Sequence, residues 1–153
     1  MDLKDVSALW NLGLITIGDV QDLASQMLAE GADVDQLVRV LVPPRDDVES
    51  IKNEFDHFLE EKGVRMVDGR DALRHLAKTI SASIVRRNIA PFDGAVFLWD
   101  AVLKSKDRDF HELDSFIYAA SEMRDRPADR SFFEDAILEE ATSWANGNNA
   151  KAD

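Results

Sequence analysis

Apolar residues recur along most of the chain with the spacing of one helix face. Val20, Leu23, Ala24, Met27 and Leu28 stand at i, i+3, i+4, i+7 and i+8, behind Thr16 and Asp19 in capping-box spacing and ahead of Gly31 as a stop. Before them, Val6, Leu9 and Trp10 predict a short helix ending at Gly13. After them, Asp33 and Gln36 open a helix carrying Leu37, Val38 and Leu41 until Pro43-Pro44 ends it. Residues 46–62 place Val48, Ile51, Phe55, Phe58 and Leu59 on one face, with Gly63 as the stop.

The second half continues the pattern. Leu73, Leu76, Ala77, Ile80 and Ile84 form one stripe over about 69–88, and Pro91 suits the first turn of the next helix. That helix, with Ala95–Trp99 and Ala101–Leu103, is apolar almost all round and is expected at the core. Asp109 and Glu112 have capping-box spacing ahead of Leu113, Phe116, Ile117 and Ala120. Past an Arg126-Pro127 break, Phe132, Phe133, Ala136, Ile137, Ala141 and Trp144 predict a last helix. Ile15–Ile17 and Val64–Val67 are too short to build a sheet. The class is therefore all-α, with seven to eight helices. Their starts are spaced like stacked helical hairpins, but no residue pattern recurs at a fixed period, so an irregular bundle is expected. One domain over 1–146 and a frayed tail over 147–153 complete the outline.

Composition narrows the picture. At 153 residues, 45% hydrophobic and 31% charged, one soluble domain would bury roughly 68–70% of its unfolded surface. The absence of Cys rules out a disulfide framework, a zinc-thiolate or iron-sulfur site and a cysteine nucleophile. The N-terminus, MDLKDVSALW, carries acids where a signal peptide needs basic and then apolar residues, and no stretch approaches ~18 consecutive apolar residues. Cytoplasmic residence follows as the expectation. The net charge of -12 repels nucleic acid and anionic lipid and favours basic partners. It is unevenly spread: residues 1–66 carry 14 acids and 6 bases, 67–88 carry 2 and 5, and 89–153 carry 14 and 7. The basic middle segment, folded against its neighbours, would supply their counter-charge.

Catalytic patterns are sparse. Glu54 and His57 have the i, i+3 spacing of a di-iron bundle motif in a single copy, and Asp71/His75 and His111/Asp114 each pair one acid with one imidazole. The sequence holds no G-x-S-x-G elbow and no Gly-rich phosphate loop. No cofactor is called for, and the chain does not read as an enzyme. Three charges conflict with their helix faces: Glu140 beside Ile137 and Trp144, Asp100 beside Val96 and Leu103, and Arg87 continuing the stripe of Ile80 and Ile84. A lone buried charge costs several kcal/mol, so Arg87, Asp100 and Glu140 are expected to form an internal ion pair. An acid-lined pocket serving a small helical enzyme or ligand-binding protein is the alternative use of the same residues.

Outward-facing positions pose the opposite problem. Asp135 and Glu139 are like charges at i, i+4, and Glu112, Glu122 and Asp125 add acid on the preceding helix. Tyr118 lies off the Leu113/Phe116/Ile117 stripe and has the amphipathic character of an interface anchor. Together these six residues form a candidate surface for a basic protein. The stretch Phe110–Ala141, FHELDSFIYAASEMRDRPADRSFFEDAILEEA, about a fifth of the chain, resembles the C-terminal part of small acidic helical bacterial immunity proteins found beside polymorphic toxins. The resemblance implies a non-enzymatic antidote that binds a toxin domain, often a basic nuclease, and blocks its active site.

Overall fold

A computed structural model describes residues 2–31 and 34–147, and every regular element among them is helical. The order is α1 (Leu3–Asn11), α2 (Ile17–Ala29), α3 (Val34–Leu41), α4 (Val48–Glu61), α5 (Gly69–Val85), α6 (Pro91–Ser105), α7 (Asp114–Asp125), a 3-10 turn (Pro127–Asp129) and α8 (Arg130–Ala145). No described helix is long and apolar enough to cross a membrane. The all-α class and the helix number match the periodicity.

The helices fall into two compact units, Met1–Val67 and Asp68–Asp153. The sequence, read as one domain over 1–146, does not mark this division, because residues 64–68 lack any Pro, Gly or Ser run and helical period resumes at once. Gly147 ends α8 with φ 75°, and the rest of the expected frayed tail, 148–153, lies outside the described residues, as does the Asp33 cap.

In the first unit α2, α3 and α4 pack on one another around Val20, Ala24, Leu37, Val40, Ile51, Phe55, Phe58 and Leu59, joined by Val6 of α1. Local signals set the ends. Thr16 and Asp19 form the expected capping box, and Asp2 and Asp5 form another at the start of α1. Val40 rather than Val38 is buried, since it shares the inward face of α3 with Leu37. The buried Gln21 amide donates to the Val40 and Pro43 carbonyls at 3.2 and 3.0 Å, pairing them where the prolines past α3 offer no N–H.

In the second unit the contacts α5–α6, α6–α7, α7–α8 and α8–α5 close a four-helix arrangement. Here α6 departs from expectation. Its inward face is the small-residue one, Gly94, Ala95, Leu98 and Ala101, while Leu103 is 66% exposed. Close approach explains the choice: a methyl on Gly94 would lie 2.6 Å from Ile84 Cδ1 and 2.9 Å from its Cγ1. Gly94 is thus a packing residue inside α6.

Candidate functional site

The basic helix α5 sits among acidic neighbours and neutralises two of them. Arg70 Nε and Nη2 donate to the two oxygens of Asp107 at 2.6 and 3.1 Å, and Arg74 grips Glu112 through Nε at 3.1 Å and Nη2 at 2.6 Å. The Arg70 hydrogen bond holds the Asp107 carboxyl below the usual Asp value. Glu112 therefore serves as a bracket between α5 and the start of α7. The expected Asp109/Glu112 capping box does not form, because α7 begins only at Asp114, past Glu112, and has no side-chain cap.

The expected internal ion pair does not assemble. Helix α5 ends at Val85, so Arg87 no longer follows the Ile80/Ile84 stripe; it sits at φ 61° and is exposed. Asp100 lies on the face of α6 opposite Gly94, Leu98 and Ala101, and is exposed as well. Neither makes an ion pair among the described residues, and only Glu140 of the three is half-buried. The arginines of α5 reach Asp107 and Glu112 instead. An Arg87/Asp100/Glu140 pocket is thereby removed as a ligand site.

The outward acids divide into two groups. Glu112 is held by Arg74, and Glu122 accepts from Arg126 Nε at 2.6 Å. Asp125, Asp135 and Glu139 are exposed and make no ion pair among the described residues. Helical geometry sets the second group beside exposed rings: Asp125 shares one face of α7 with Tyr118 and the paired Glu122 at i+7, i and i+4, and Asp135 and Glu139 share one face of α8 with Phe132 at i+3, i+7 and i.

Between these faces lies a feature that the sequence reading missed. The Phe133 ring is buried and takes three partners: Tyr118 edge-on at 6.2 Å, Phe132 edge-on at 5.1 Å, and the Arg126 guanidinium at 5.6 Å. Tyr118 and Phe132 themselves stay 59% and 69% exposed. Phe132 reads as a core residue in the sequence because it adjoins Phe133, yet adjacent residues on a helix point about 100° apart and only one can face inward. Its offset of three and seven from Asp135 and Glu139 is the signal that places it with the acids.

The histidines are dispersed. His57 Nε2 meets Glu61, not Glu54, at 2.6 Å, and His111 Nδ1 meets Asp114 at 3.1 Å, all four being at least partly exposed. Comparison with protein-family models, with curated proteins and with solved structures finds no match.

Proposed function

We propose that the chain is a non-enzymatic interaction protein that binds a basic protein through the outward face of α7 and α8, acting in the cytoplasm as an inhibitor. A toxin domain is the partner class that the resemblance of residues 110–141 implies. One observation carries this reading: two exposed aromatic rings stand on a single buried ring, next to three exposed carboxylates with no cation paired to them among the described residues. Exposed rings on a rigid base lose little conformational entropy when covered, which is why such residues dominate binding energetics. Unpaired carboxylates around them raise the encounter rate with a basic surface and repel nucleic acid. Within the predicted set, Tyr118, Asp125, Asp135 and Glu139 belong to this surface and Phe132 joins them. Glu122 sits on it already neutralised by Arg126, and Glu112 acts inside the fold.

Affinity capture from lysate of the source cells, with the bound proteins identified by mass spectrometry, tests the proposal. A basic protein retained at low salt, released as ionic strength rises past ~0.15 M, and lost with Tyr118→Ala/Phe132→Ala is the expected result. Retention of the same proteins by the double variant would overturn it.

A further inference from the structure

The first unit carries an open pocket of about 610 Å³, within the ~300–1,000 Å³ usual for small-molecule sites. Its walls follow from local structure. The end of α1 supplies Trp10, the start of α2 supplies Ile17, α4 supplies Val48, Lys52 and Asp56 at i, i+4 and i+8, and residues 65–67 complete the lining. That last segment is tied down by its backbone: Ser7 Oγ accepts from Met66 N at 2.8 Å, and Asn11 Nδ2 donates to the Met66 and Val67 carbonyls at 3.1 Å each. The wall is thus built before any ligand arrives.

The chemistry of the lining is specific. Val48 and Val67 line the pocket while 44% and 75% exposed, so apolar surface faces water there. The one acid, Asp56, is occupied: Oδ1 accepts the Trp10 indole N–H at 2.8 Å, and Oδ2 faces Arg65 at 3.7 Å. Arg65 is shared further with Glu60 at 3.4 Å. Lys52 lines the same pocket, is exposed, and makes no ion pair among the described residues, in a segment of the chain that carries 14 acids and 6 bases. An unpaired cation beside the apolar part of the wall, with Asp56 and Arg65 already engaged, matches an anion attached to an apolar body.

We propose that this pocket is a binding site for a small amphiphilic monocarboxylate, its body against Trp10, Val48 and Val67 and its carboxylate on Lys52. The site is independent of the α7–α8 surface. Two-dimensional NMR titration of the full chain tests it, using octanoate and 3-phenylpropanoate as aliphatic and aromatic probes and octan-1-ol as the uncharged control. Saturable shifts confined to residues 10–17, 48–56 and 65–67 are expected for at least one acid, with weaker binding of the alcohol. Lys52→Met should weaken the acid about fivefold and leave the alcohol unchanged, since a charge-assisted contact is lost and the exposed position keeps its fold. Val67→Asp should abolish acid binding by placing a like charge on the wall. No saturable shift at millimolar acid, equal binding of acid and alcohol, or a Lys52→Met variant with wild-type affinity for the acid would each overturn the proposal.

Discussion

The pocket of the first unit and the α7–α8 face of the second are opposites in shape and sign. One is a pocket of mixed apolar and polar lining edged by an unpaired lysine; the other is an outward face with two protruding rings and three carboxylates without an ion pair among the described residues. Both lie in segments with excess acid, so net charge alone separates neither. What separates them is which charges the fold has already used. Asp56 is consumed by Trp10 and Arg65 in one unit, and Glu112 and Glu122 by Arg74 and Arg126 in the other. The residues left over, Lys52 on one side and Asp125, Asp135 and Glu139 on the other, define what each site attracts.

The strongest perturbation of this contrast is Phe133→Ala. It removes the ring on which Tyr118 and Phe132 rest and should cost about 3–5 kcal/mol in chemical denaturation, as large aromatic truncations in packed cores do. A loss below about 1 kcal/mol would mean that the two exposed rings have no rigid base. Next comes Gly94→Val, which drives side-chain atoms into Ile84. It should destabilise by about 1–3 kcal/mol and lower hydrogen-exchange protection across α5 and α6. Wild-type protection there would contradict the close approach of Gly94 to Ile84.

A smaller effect separates the charges used inside the fold from those left outside. Because the folded-state pKa of Asp107 is depressed, its pairing with Arg70 contributes stability that is fully present above the unfolded value, ~3.9, and is lost as pH falls through the folded value. Arg70→Met should flatten the acid limb of a pH–stability profile, whereas Asp135→Asn should leave that limb in place. Smallest is the double change Asp135→Asn/Glu139→Gln, expected to leave stability unchanged or raise it by a few tenths of a kcal/mol, since it relieves a like-charge pair at i, i+4. A measured loss would show that these acids have partners inside the fold.

Helix type and number were legible because apolar spacing and end signals agree: Thr16/Asp19, Gly63 and Pro91 act as their residue types require. Face assignment was less so where apolar residues outnumber the inward positions. In α6 and at Phe132-Phe133, periodicity offers two faces and only the packing of Gly94 against Ile84, or of Phe133 beneath Tyr118, selects one. Ion pairing was least legible. Arg70–Asp107 and Arg74–Glu112 join residues 37 and 38 positions apart, and no local spacing distinguishes them from the expected Arg87/Asp100/Glu140 set. Of the six surface candidates, Tyr118, Asp125, Asp135 and Glu139 are exposed, while Glu112 and Glu122 are held by Arg74 and Arg126, pairings that helix periodicity does not reveal; Phe132 was hidden by its apolar neighbour.

The central claim is that binding resides in the rings and unpaired acids of α7 and α8 and not in overall acidity. Its direct measurement is the dissociation constant of the captured basic partner for the wild-type chain, for Tyr118→Ala/Phe132→Ala, for Asp135→Asn/Glu139→Gln, and for Asp46→Asn/Glu49→Gln. The last pair removes equal charge from exposed positions in the first unit. The expected result is a loss of about 30-fold or more for the ring variant, matching hot-spot truncations of ~2 kcal/mol or more. A smaller, salt-dependent loss is expected for the α8 acids, and almost none for the first-unit pair. Equal losses for the two acid variants, or wild-type affinity for the ring variant, would contradict the account.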